Sequence, residues 1–139
     1  MNYLIISFIT AILSTMSCRE NNPDQNQWLG TFSVKQQCDG AATPDYQMKV
    51  SRVATDSALL TLDNVGGYGK KINATLNGDT LVLTPTDANV GLMGQVRLSG
   101  SGSFQDEALV IHLTVDVPGP GGTTTQNQCQ SVGKRVVRE

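Results

Sequence analysis

The sequence predicts an all-β domain, an eight-stranded antiparallel up-and-down β-barrel. Three observations predict it: apolar residues recur at every second position in eight short runs, glycine-rich or Asn/Asp-rich breaks separate those runs, and no window carries a helical period. The length of 139 residues is that of one ordinary domain. Ten Lys and Arg against twelve Asp and Glu leave a formal charge of -2, so no basic field exists to hold phosphates. That argues against nucleic acid as a partner.

The first seventeen residues carry no charged side chain, and 4–13 form an apolar run broken only by Ser7 and Thr10. A membrane-spanning helix needs about twenty apolar residues. This shorter run ends at Ser14, Thr15 and Ser17, small polar residues of the kind beside which a signal peptidase acts. Residues 1–17 are therefore expected to be a cleaved signal peptide, with the α-amino group of Met1 as the positive charge of its n-region. Ser17 followed by Cys18 resembles the lipobox of bacterial lipoproteins, in which a small residue precedes the cysteine that is lipidated and becomes the first residue of the mature chain. The resemblance implies a palmitate-bearing anchor at Cys18; the alternative is cleavage elsewhere, with Cys18 left as a free thiol. After Cys18 comes RENNPDQNQ, which holds no apolar residue and reads as a tether. The expected organisation is a signal peptide over 1–17, the lipidated cysteine and tether over 18–27, and a barrel domain over 28–139.

The eight runs are 28–38, 46–53, 58–65, 71–76, 80–84, 95–104, 108–117 and 123–132. The first places Phe32, Val34 and Cys38 on one face, and the second does the same with Tyr46, Met48 and Val50. In the sixth, Val96, Leu98, Gly100, Gly102 and Phe104 face inward while Arg97, Ser99, Ser101 and Ser103 face outward. The seventh sets Leu109, Ile111, Leu113, Val115 and Val117 against Val110, His112, Thr114 and Asp116. An antiparallel sheet with one solvated side needs such alternation, whereas parallel strands would be apolar throughout. Every connection is short enough for a hairpin, which favours a barrel over the alternative, a two-sheet sandwich.

An exported chain with three cysteines has one left over if the other two pair. With Cys18 as the odd one, Cys38 and Cys129 form the disulfide of the mature domain, in a compartment where such bonds persist. A zinc site competes with this reading, but two cysteines and one histidine without CxxC spacing make a poor ligand set. No metal or other cofactor is expected.

The connections alternate in length. Those at 54–57, 77–79 and 105–107 are short, and the second carries an Asn-Gly hairpin signal. Those at 39–45, 66–70, 85–94 and 118–122 are longer or richer in glycine and proline. Alternate connections of an up-and-down barrel lie at opposite ends, so the long loops should surround a mouth that faces away from the tethered base. Binding residues concentrate on such loops. The candidate ligand or partner contacts are Gly66, Gly67, Tyr68, Asn89, Leu92 and Met93, with ordinary turn residues as the plain alternative.

Groups that transfer protons or attack are scarce. His112 is the one histidine and lies on an outer face, and no GxSxG elbow is present, so the chain is not expected to be an enzyme. Gly100 and Gly102 sit inside an alternating strand and mark curvature rather than a phosphate cradle. Trp28 reads as a plug of the closed end, and Lys134, Arg135 and Arg138 gather there, either to lean on anionic head groups or as a fraying basic tail.

Residues 28–32 (WLGTF), the inward Cys38, residues 99–104 (SGSGSF) and Cys129 together resemble small lipocalin-like lipoproteins of Gram-negative bacteria. The resemblance covers most of the mature chain. It implies a lipocalin-like barrel held in the cell envelope, and Arg19 after Cys18 points by sorting analogy to the outer membrane. The expected function is that of a membrane-anchored, non-enzymatic lipoprotein binding a small hydrophobic ligand through the barrel interior or the mouth loops. The alternative is a structural or protein-interaction module with a solid-packed barrel whose loops meet another envelope protein.

Overall fold

The computed structural model describes residues 25–53, 58–91 and 94–137. The expected signal peptide, Cys18, Leu92 and Met93 lie outside those residues. The strands are β1 (Gly30–Cys38), β2 (Ala41–Ala42), β3 (Tyr46–Arg52), β4 (Leu59–Asp63), β5 (Lys71–Asn77), β6 (Thr80–Asn89), β7 (Gln95–Gln105), β8 (Ala108–Pro118) and β9 (Thr124–Val137). Consecutive strands from β3 to β9 pair antiparallel. β9 returns to β1 along a register that runs from Thr31↔Val137 to Cys38↔Cys129. β2 and β3 share one edge of β1, the first against 37–38 and the second against 30–34. The wall is therefore a closed eight-stranded barrel, not a sandwich.

Period-two alternation fills this barrel. Phe32, Val34, Met48, Val50, Leu60, Leu62, Ile72, Leu81, Leu83, Leu98, Leu109, Ile111 and Leu113 are all buried in one continuous cluster. An eight-stranded barrel is just wide enough for side chains to fill, and bulky aliphatic residues from facing strands do so here. Outward positions carry Lys35, Gln37, Gln47, Lys49, Asn73 and Thr75, all exposed. Polar outside and apolar inside is the reverse of a membrane-spanning barrel. Among the described residues no helix is long and apolar enough to cross a membrane.

Four expectations need correction. The loop expected over 39–45 is a two-residue turn, Asp39-Gly40, with φ of 48° and 80°, and Ala41 lies opposite Cys38. Two central residues at positive φ define a type I′ hairpin turn, for which Asp-Gly is a strong signal. Pro44, just beyond the pair, gave the stretch the look of a loop. β6 runs on past 84 to Asn89, because Pro85 falls at a register shift between Leu83 and Thr86, where a missing N–H disturbs no regular ladder bond. β9 runs on past 132 to Val137, so Lys134 and Arg135 belong to a strand paired with β1 rather than to a fraying tail. Trp28 is not in β1 but ends a 3-10 turn, Gln25–Trp28, that enters the barrel base. The mouth thus carries a turn as short as those at 78–79 and 106–107 together with the segments 64–70, 90–91 and 119–123, and loop length does not separate the two ends.

Gly100 shows how closely the wall is built. A Cβ placed there would lie 2.1 Å from the carbonyl oxygen of His112, on the facing strand. Gly100→Ala is expected to push β7 and β8 apart and lower stability by about 1–3 kcal/mol or more, a shift that urea unfolding would register. An unchanged midpoint would show that the strands sit further apart than this geometry requires.

Candidate functional site

The mouth encloses a polar cluster built on the inward faces of three strands. Gln36 (β1) and Ser131 (β9) are 4% and 1% exposed, and Tyr46 opens β3 beside them. The Ser131 hydroxyl donates to Gln36 Oε1 at 2.8 Å, and the Tyr46 hydroxyl lies 3.2 Å from Ser131 Oγ and 3.3 Å from Gln36 Oε1. Gly66 N–H donates to the Tyr46 oxygen at 3.0 Å, and Gln36 Nε2 donates to Cys38 Sγ at 3.4 Å. One chain of donors and acceptors therefore joins the loop 64–70 to three strands and to the disulfide. Cys38 and Cys129 are bonded directly across the β1–β9 seam, with Cα atoms 4.0 Å apart.

Three of the expected mouth residues meet this cluster. Tyr68 is half-buried and packs against the core. Its ring covers Gly66, where a Cβ would come within 2.6 Å of it. Gly67 is exposed at the rim and stacks on Tyr46, whose ring a Cβ at this position would meet at 3.5 Å. Asn89 lies elsewhere: it ends β6 opposite Gln95, outward and exposed, and is a strand residue rather than a loop residue. The loop itself is shaped by Asn64, whose Nδ2 donates to Gln47 O at 2.8 Å and whose Oδ1 accepts from Gly69 N–H at 2.7 Å.

Parity turns all three cluster members inward, Tyr46 with Met48 and Val50, and also Gln36 and Ser131, which are not among the expected contacts. Gln36 falls in the inward series of Phe32, Val34 and Cys38, and Ser131 in that of Cys129 and Gly133. A polar residue at an inward position must find a partner, and these found each other.

Burial is the main cause lifting the Tyr46 hydroxyl above its ordinary 10.0; the Ser131 and Gly66 hydrogen bonds oppose it, and neighbouring Tyr68 adds a small push upward. Burial also raises Tyr68. A phenol that holds its proton longer when folded leaves stability intact below pH 10 and removes it as pH climbs toward the folded value. Stability should therefore fall above about pH 10, where the unfolded tyrosines ionise first. Tyr46→Phe should flatten that fall while costing about 1–3 kcal/mol at neutral pH, because Gly66 N–H loses its acceptor. Urea unfolding at pH 7 and pH 11 checks both parts.

Chemically the cluster is a latch. Its members are neutral at pH 7 and tie a loop to the barrel wall, and none pairs a nucleophile with a base. Among the described residues no three of His, Cys, Asp and Glu group as they would around a metal ion.

Two surface depressions lie elsewhere. One, of about 860 Å³, is at the base between Gln27, Phe104, the Asp106-Glu107 turn and Lys134, Arg135 and Val136. The other, of about 300 Å³, lies near the mouth and includes the exposed Asp87–Arg97 pair. The first includes the inward Phe104 and Arg135, the latter opposite Phe32 on β1, and the second includes the inward Val96.

No protein family and no curated protein matches the chain. Among solved structures it is similar to a redesigned beta barrel, with a TM-score of 0.51 and 15% identity over 78% of this chain and 91% of that one. At that identity the likeness speaks to the fold, and the fold it shows is a β-barrel.

Proposed function

We propose that this chain is a lipid-anchored, non-enzymatic lipoprotein of the cell envelope, sorted to the outer membrane, whose filled barrel serves as a structural or protein-interaction module. The observation that carries this reading is the interior itself. Most of its inward positions hold large apolar side chains at or near zero exposure, and the Gln36–Tyr46–Ser131 cluster is satisfied by its own groups. A carrier of a small hydrophobic molecule needs an apolar cavity of several hundred Å³, and the barrel spends that space on Leu, Ile, Val, Met and Phe. Contact with another envelope protein then falls to the mouth rim, where Gly67 and Asn89 are exposed and the Tyr46 latch holds the 64–70 loop in one shape. Rigid loops lose little entropy on binding, which suits an interaction surface. Cys18 and the polar tether after it supply the anchor, and Arg19 after Cys18 supports the outer-membrane location by sorting analogy.

The test is uptake of a hydrophobic fluorophore by the purified protein, paired with a photocrosslinker placed at position 67 in intact cells. No uptake, with a discrete crosslinked protein, supports the module. Saturable uptake in a one-to-one ratio contradicts it and restores the carrier reading.

A further inference from the structure

At the base, β9 outruns its neighbour. β8 pairs with it only as far as Leu109↔Gly133, whereas β9 continues along β1 to Val137. Lys134, Arg135 and Val137 keep β1 on one edge, Val136 is the extra residue of a bulge there, and among the described residues none of the four has a strand partner on the β8 side. That edge forms one side of the groove of about 860 Å³, and the Asp106-Glu107 turn forms the other. The walls carry opposite charge: Lys134 and Arg135 on the strand, Asp106 and Glu107 on the turn. Val136, 54% exposed, sits in the same groove and is the more exposed of the two large hydrophobic residues left open to solvent among the described residues.

We propose that this edge binds a second copy of the chain, the two β9 ends pairing antiparallel about a two-fold axis. An unpaired strand edge is a template for another strand, and an antiparallel pair of identical edges is two-fold symmetric by construction. Rotation about that axis also brings the basic wall of one copy against the acidic wall of the other, on both sides at once. A patch with separate positive and negative lobes is complementary to itself in this way, which favours a copy of the same chain over an unrelated partner. The pairing covers Val136 and completes the ladder that β8 leaves unfinished. It lies at the end opposite the mouth and does not depend on the function proposed above.

The chain from Arg19 onward contains the whole core and the disulfide, and its sedimentation equilibrium reads the association directly. A monomer–dimer equilibrium that weakens as salt rises is expected, with dissociation in the micromolar to millimolar range for so small an interface. Glu107→Lys and Lys134→Glu should each weaken the dimer by tenfold or more, because each reversal acts twice across the axis. Mixing the two variants in equal amounts should restore it, since the mixed pair recovers an opposite charge at both contacts. Val136→Lys should abolish it while circular dichroism and the thermal midpoint show the barrel intact. A protein that stays monomeric at roughly millimolar concentration overturns the proposal, and so does a dimer that none of these variants alters or that mixing fails to restore.

Discussion

Replacing Cys38 and Cys129 together by alanine is expected to lower the unfolding free energy by about 4 to 5 kcal/mol, a large part of what a domain of this size possesses. The bond spans 91 residues, so in the chain-entropy account its loss frees almost the whole barrel sequence in the unfolded state. Its place in the wall adds to the effect. β1 and β9 are the ends of the meander, and their pairing is the step that turns a sheet into a barrel. The disulfide sits at the mouth end of that seam, where it holds Gln36, Ser131 and Tyr46 within hydrogen-bonding reach. Guanidinium unfolding of the oxidised protein and the double variant measures the loss, and amide exchange shows where it acts. Exchange should quicken first along 36–38 and 128–131. A loss below about 1 kcal/mol would mean that the seam is held by its ladder and packing alone, against the chain-entropy account.

Trp28→Ala should cost about 3–5 kcal/mol, the range for removing a fully buried large aromatic side chain. Trp28 is 0% exposed, and its ring lies 4.8 Å from that of Phe104, which in turn is 6.3 Å from Phe32. The Arg135 guanidinium lies over the Phe32 ring at 5.2 Å and donates to the Gln27 carbonyl oxygen, closing the base from outside. Truncating the indole opens a hole that these neighbours cannot fill without giving up their own contacts. Trp28→Phe is the informative control. The indole Nε1 is buried without an acceptor among the described residues, so exchanging the ring for phenyl removes an unsatisfied donor as well as some volume. The phenyl variant should therefore keep more than half of the stability that alanine loses. Denaturant unfolding followed by circular dichroism compares all three proteins. Equal losses for the two variants would place the indole N–H in a hydrogen bond that matters.

The fold was legible where physical chemistry acts locally and repeatedly. Alternation in 108–117 and 95–104 gave β8 and β7 nearly residue for residue, and the odd cysteine count led to the Cys38–Cys129 pairing, with which the inward parity of Cys38 agrees. Errors came where one residue carries two meanings. Proline reads as a strand breaker, yet Pro85 sits at a bulge within β6, and Pro44 masks the Asp39-Gly40 turn before it. Glycine and tyrosine in 66–68 read as an open loop because chain composition cannot show that a phenol on β3 will accept a hydrogen bond from that loop. The latch itself depends on three strands meeting, and Gln36 and Ser131 stand 95 positions apart. Only their inward parity betrayed them. The anchor at Cys18 and the contacts expected of Leu92 and Met93 rest on the sequence alone.

The central claim is that the barrel is filled by its own side chains and carries nothing. Native mass spectrometry of the protein purified gently from its own host, followed by denaturation to release any bound molecule, tests it most directly. The account predicts a mass equal to that of the processed, lipidated chain with no additional small molecule retained. A stoichiometric apolar compound released on unfolding would contradict it and would require the core around Leu60, Leu83 and Leu113 to open.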